Sequence, residues 1–121
     1  MRELTDHHDG HGLNEAIRIT TDEPDASGAA HRYSFDIDHC FCHAGDIQFQ
    51  QGPRNEPTST VGVTEAALLT VLIDRLRGFQ SGPYSCRENA IQLTKLEECL
   101  HWTKARADER ARRGVLGKNA K

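Results

Sequence analysis

Apolar residues follow two different periods along this chain. In the first half they alternate: Ile17 and Ile19 within the run Glu15 to Thr21, then Tyr33, Phe35 and Ile37 within His31 to Asp38, then Ile47 with Phe49. Alternation puts these side chains on one face of an extended segment, so three strands are predicted. The run Asp22 to Gly28 has turn composition, and Gly45-Asp46 reads as a turn ahead of the third strand. From Thr64 onward the period lengthens. Leu69, Leu72, Ile73 and Leu76 recur at the spacing of one helical face, with Thr64 as the N-cap. Gly78 is placed to end this helix in the left-handed conformation, and Pro83 suits the first turn of the next. No Gly or Pro then follows before Arg112, and Ala90, Leu93, Leu96, Leu100 and Thr103 form a second stripe.

At 1.5 Å per residue the first helix spans roughly 20 Å and the second roughly 45 Å. Antiparallel packing leaves half of the longer helix to meet the sheet, another subunit or solvent, which points to a homo-oligomer. The expected fold class is α+β: a small N-terminal antiparallel β-sheet packed with a C-terminal antiparallel two-helix hairpin, short helix then long. With 121 residues the chain is expected to be a single domain. Its parts are a loose polar arm at 1–14, a sheet region at 15–60, the hairpin at 64–113 and a basic tail at 114–121.

The formal net charge of −3 is unevenly spread. From Lys104 to the end stand seven cations against two carboxylates, a net +5 that leaves −8 for the remainder. A basic helix end on an acidic body suits a local anion site and not a nucleic-acid polymer, which asks for a broader basic surface. No apolar run is long enough to span a membrane, and the start Met1-Arg2-Glu3-Leu4-Thr5-Asp6 lacks the apolar core of a signal peptide. The expected setting is the cytoplasm, with all four cysteines as free thiols.

The chemistry-bearing clusters are few. His39-Cys40-Phe41-Cys42-His43 carries zinc-type ligands. On a strand, however, the two histidines point one way and the two cysteines the other, and structural sites use Cys pairs two to four residues apart. No metal is therefore expected; a small metal-dependent nucleotide hydrolase or nuclease through His39, Cys42 and His43 is the alternative. Arg106, Arg110 and Arg113 share one helical face and offer planar forks to phosphate oxygens, or else form a solvated face beside Asp108 and Glu109. Phe79, between the helices, either stacks a base or plugs the hairpin end. Asn89 and Arg54 carry the same two readings, ligand contact or local bonding. Trp102 reads as core or subunit interface. Glu97 and Glu98 point about a hundred degrees apart, and no Walker loop, G-x-S-x-G or H-E-x-x-H occurs, so no catalytic residue and no cofactor is expected.

Several runs together carry a resemblance. They are Ile47-Gln48-Phe49-Gln50-Gln51-Gly52-Pro53, Leu72-Ile73-Asp74-Arg75-Leu76, Phe79 to Ala90, Leu93-Thr94-Lys95-Leu96-Glu97-Glu98, and Arg112-Arg113-Gly114-Val115-Leu116-Gly117. In order and with short gaps, they resemble the phage Thoeris anti-defence proteins of the first type, which share a helical hairpin with the second-type anti-CBASS proteins. The resemblance implies a non-enzymatic sponge acting in the cytoplasm of the infected host. Such a sponge binds, without cleaving, the cyclic ADP-ribose isomer (gcADPR) made by a bacterial TIR-domain enzyme. It implies dimers or hexamers with the pocket between protomers. The base-stacking aromatic is matched by Phe79, the edge-reading amide by Asn89, and the diphosphate-neutralising arginines by Arg106, Arg110 and Arg54. Some relatives also hold CBASS cyclic di- or trinucleotides at a second site, for which Arg87, Gly114 and Gly117 are the counterparts. Leu116 falls where relatives more often carry an acidic residue, and Lys118-Asn119 stands in place of their Thr-His.

Overall fold

The computed structural model describes residues 1–38 and 42–114. The chain divides into two compact units, Met1–Gly62 and the residues from Val63 on. The first holds a four-stranded antiparallel meander of β1 (Arg2–Leu4), β2 (Ile17–Thr21), β3 (Arg32–Ile37) and β4 (Cys42–Gln48), in that spatial order. The predicted alternation sets its register. Ile17 lies opposite Ile37 and Ile19 opposite Phe35, cross-strand pairs of the kind that stabilise one sheet face. Phe49 follows β4, and its ring meets Tyr33 edge-on, with centroids 5.7 Å apart.

The turn expected at Gly45-Asp46 lies inside β4. Pairing passes from Phe35 opposite Gly45 to Asp36 opposite His43, so Ala44 is an extra, bulged residue. Gly45 takes φ +148° there, a conformation cheap only without a Cβ. What reads as a turn-forming glycine is a bulge glycine.

The arm expected at 1–14 is also more structured than its composition implies. Arg2–Leu4 pairs with β2, placing Leu4 opposite Ile19. The Glu15 carboxylate accepts the backbone N–H groups of Asp9 (2.6 Å), Gly10 (2.9 Å) and Gly12 (2.6 Å). These bonds, that of Gly10 foremost, hold the carboxyl down to about 2. His7 Nε2 lies 2.7 Å from the Ile17 carbonyl. A three-residue strand with one apolar side chain has no period to read, and bonds to backbone N–H leave none either.

The second unit is the hairpin of α1 (Glu65–Gln80) and α2 (Arg87–Arg112). Thr64 Oγ1 accepts the Ala67 N–H at 3.2 Å, the expected cap. Ile73 is the buried apolar side chain of α1, at 2 % exposure, while Leu72 stays 48 % exposed. On α2, Leu93, Leu96, Leu100 and Thr103 are half-buried as expected; Ala90 is exposed, and Asn89 takes its place in the stripe. Arg77 and Glu97 join the helices by an ion pair of 2.7 Å. Trp102 is 70 % exposed, so it is no part of the hairpin's core.

Both expected helix limits move. Gly78 is interior to α1, and the cap residue Ser81 is right-handed at φ −87°. Ser81 N–H donates to Arg77 O, Gly82 N–H to Phe79 O and Ser81 Oγ to Gly78 O, so the last carbonyls are satisfied without a left-handed residue. Pro83 belongs to the connection; α2 starts at Arg87 behind Cys86, whose Sγ accepts the Asn89 N–H at 3.4 Å. Cys86 and Cys99 are free, whereas Cys42 is disulfide-bonded, against the expectation of four free thiols. That expectation came from compartment alone and carried no geometry. Among the described residues no helix is long and apolar enough to cross a membrane.

Candidate functional site

The end of the hairpin that carries the inter-helix connection holds two of the expected ligand residues, of which Phe79 lines the groove between the helices and Asn89 does not. Phe79 is in the last turn of α1 and not in the turn beyond it, because α1 runs on to Gln80. Its ring is half-buried, and the Arg75 guanidinium, one helical turn earlier, lies 5.0 Å from the ring centroid. This is cation–π distance, so one face of the ring is occupied and its orientation set. Asn89 is the third residue of α2. Its N–H caps onto Cys86 Sγ, and its side-chain oxygen accepts from Gln92 Nε2 at 3.3 Å.

Beside Phe79 the two helices leave a groove of about 530 Å³. Leu76, Ile91 and Leu96 give it apolar walls, Arg75 and Lys95 supply two cations, and no carboxylate is among its lining residues. Arg87 and Lys95 line a neighbouring depression of about 350 Å³ on α2. An apolar slot next to an aromatic ring, edged by cations without counter-carboxylates, suits a flat heteroaromatic group with an anionic substituent. Arg75 and Lys95 were not singled out from sequence. The Arg75–Phe79 spacing of i, i+4 was the available signal for the first.

The remaining expected residues lie elsewhere. Arg106 is exposed and Arg110 half-buried in the last two turns of α2. Seventeen and twenty-one residues of helix separate them from Asn89, about 25 and 32 Å. A ligand pocket of a few hundred Å³ is roughly 10 Å across. One chain therefore cannot bring Asn89 and these arginines to the same small molecule. Arg113 pairs with Glu109 on the same face. Arg54 stands in the loop after β4, where its Nη2 donates to the Gly62 carbonyl at 2.9 Å. That loop is held by paired backbone bonds between Gln51 and Thr60. Gly62 packs so closely that a Cβ would meet the Gln48 carbonyl oxygen at 2.2 Å. Of the second-site residues, Arg87 opens α2 and is exposed, Gly114 has φ +73°, and Gly117 lies outside the described residues.

Of the metal-ligand cluster, His39, Cys40 and Phe41 lie outside the described residues. His43 sits between two carboxylates, its Nδ1 2.9 Å from Asp36 and its Nε2 3.4 Å from Asp46. The bond to Asp36, before the field of Asp46, raises its pKa. Ser34 and Arg32 hold Asp46 in turn. The two ring nitrogens face different carboxylates, so the imidazole bridges them and does not converge with them on one point. Among the described residues no three metal-ligating side chains are grouped to hold an ion.

Comparison with known proteins agrees with the arrangement of elements. Residues 43–108, just over half of the chain, match the family described as Acb2/Tad1, hairpin domain. The chain is similar to Thoeris anti-defense 1 of Bacillus phage SBSphiJ7, with 44 % identity over 75 residues. The matched stretch makes up 62 % of this chain and 52 % of that protein, so the chain spans about half the length of that relative.

Proposed function

We propose a function from one premise: the chain belongs to the Acb2/Tad1 hairpin family. It is a phage anti-defence protein that binds the cyclic ADP-ribose signal of the Thoeris system and holds it, uncleaved, away from its effector in the host cytoplasm. The observation that carries this reading is the groove beside Phe79, with its apolar walls, two cations and no lining carboxylate. Such a slot meets the two needs of a cyclic nucleotide-sugar: an apolar seat for the base and positive charge for the diphosphate.

The wide separation of Asn89 from Arg106 and Arg110 fits a pocket shared between two copies of the chain. Phe79 and Asn89 of one protomer then meet the arginine end of its partner's α2, and the base is read at one end while the diphosphate is neutralised at the other. Sequestration asks for tight binding and no bond breaking, so these residues act as a stacking face, an amide edge and charge. Arg54 contributes from the loop after β4. Arg87, Gly114 and Gly117 belong to a second site for cyclic di- or trinucleotides in a larger assembly.

The test is protection of a signal-triggered effector in a mixture containing the TIR-enzyme product. Phe79→Ala and Asn89→Ala should each abolish protection while far-UV circular dichroism stays unchanged. A stacked base is worth about 1–3 kcal/mol, so Phe79→Ala alone weakens binding roughly 5- to 150-fold. Full protection by both variants would remove the reading.

A further inference from the structure

Between the two proposed ligand residues on the hairpin lies a side chain with no assigned role. Gln80 is the last residue of α1, next to Phe79, and is half-buried. Its Oε1 accepts the Cys86 N–H at 3.0 Å, and its Nε2 donates to the Cys86 carbonyl at 3.1 Å. The side-chain amide thus pairs with both backbone groups of one residue, as a neighbouring strand would. Cys86 is the N-cap of α2: its carbonyl also accepts the Ala90 N–H, and its Sγ accepts that of Asn89. One side chain therefore ties the end of α1 to the start of α2 across the connection Ser81 to Cys86.

We propose that Gln80 is a positioning residue for the ligand site, fixing the separation of Phe79 and Asn89 by this two-point clamp. The inference rests on the functional reading above, which assigns those two residues to the ligand. The chemistry is specific to an amide. An alanine loses both bonds. A glutamate keeps the acceptor but sets a charged oxygen against the Cys86 carbonyl. When protonated, it again offers one donor and one acceptor. Ordering a six-residue connection in advance removes a cost that binding would otherwise carry.

The experiment is equilibrium binding of glycocyclic ADP-ribose to wild type, Gln80→Ala and Gln80→Glu at pH 7 and pH 4, with helix content followed by circular dichroism. Without the clamp the connection must be ordered on binding, so both variants should bind about tenfold more weakly at pH 7. At pH 4 the Gln80→Glu protein should return to within about twofold of wild type at that pH, since an ordinary glutamate titrates near 4.3 and the facing carbonyl favours its neutral form. Gln80→Ala should stay weak. Equal binding by all three proteins, or weakened binding of Gln80→Glu without recovery at pH 4, overturns the positioning role. A wild type that binds nothing at either pH overturns the functional reading instead, and the inference with it.

Discussion

Two inactive variants should restore each other. On the proposed function, Asn89→Ala removes the base-reading end of the pocket and Arg106→Ala the charged end. The two positions are about 25 Å apart along α2, so a shared pocket takes Asn89 from one copy and Arg106 from another. When the two variants are denatured together, mixed in equal amounts and refolded, the copies pair at random. In a two-fold dimer half of the pairs are then mixed. One pocket of each mixed dimer carries both substitutions, and the other carries neither. Intact pockets therefore number about one for every four chains, a quarter of the wild-type capacity. The same fraction holds for any ring in which each pocket spans two neighbours, so the prediction does not depend on dimer or hexamer. The assay counts ligand retained per chain after filtration, by mass spectrometry of the heat-released fraction. Each variant alone should retain almost none. A mixture that also retains none would refute the argument, because it would put all the essential residues within one chain.

Three further predictions concern the scaffold. Gly62→Ala places a methyl where the Gln48 carbonyl oxygen is 2.2 Å away, so the N-terminal unit should lose about 1–3 kcal/mol and melt several degrees lower by circular dichroism; an unchanged midpoint would contradict the close packing. The Glu15 carboxyl, held down to about 2 chiefly by the Gly10 N–H, contributes fully above its ordinary value of 4.5, and the contribution is lost as the pH falls towards 2. In NMR titration the Gly10 and Gly12 amide shifts should move with a midpoint near 2, and in Glu15→Gln they should not titrate; a midpoint at the ordinary value would remove the three-bond arrangement. The exposed Arg77–Glu97 pair should show less than about 1 kcal/mol of coupling in a double-mutant cycle, falling with added salt; a coupling of several kcal/mol would mean the pair is far better shielded than its exposure indicates.

The two periods of the apolar residues carried most of the fold. Ile17, Ile19, Phe35 and Ile37 are in register on one sheet face, and Thr64 caps the helix it was expected to cap. The misreadings share a cause: glycine and proline mark several kinds of backbone irregularity, and composition does not say which. Gly45 makes a bulge, Gly78 lies within a helix whose end is satisfied by Ser81, and Pro83 stands in a connection closed by Gln80. Features built from side chain to backbone bonds, such as the Glu15 loop and the Gln80 clamp, leave no period at all. At the candidate site, Phe79 and Asn89 were singled out from one run that crosses from the last turn of α1 into the first turn of α2. The contribution of Arg75 emerged only once α1 was seen to extend through Phe79, putting guanidinium and ring on one face. The distance between Asn89 and the arginines was implicit in the helix length.

The claim that matters most is binding without cleavage. Purified protein is mixed with glycocyclic ADP-ribose, free ligand is removed by filtration, the protein is heat-denatured, and the released material is identified by mass spectrometry. Intact ligand, in proportion to the number of chains, is the predicted result. Release of a linear or hydrolysed product, or retention of nothing, would contradict it.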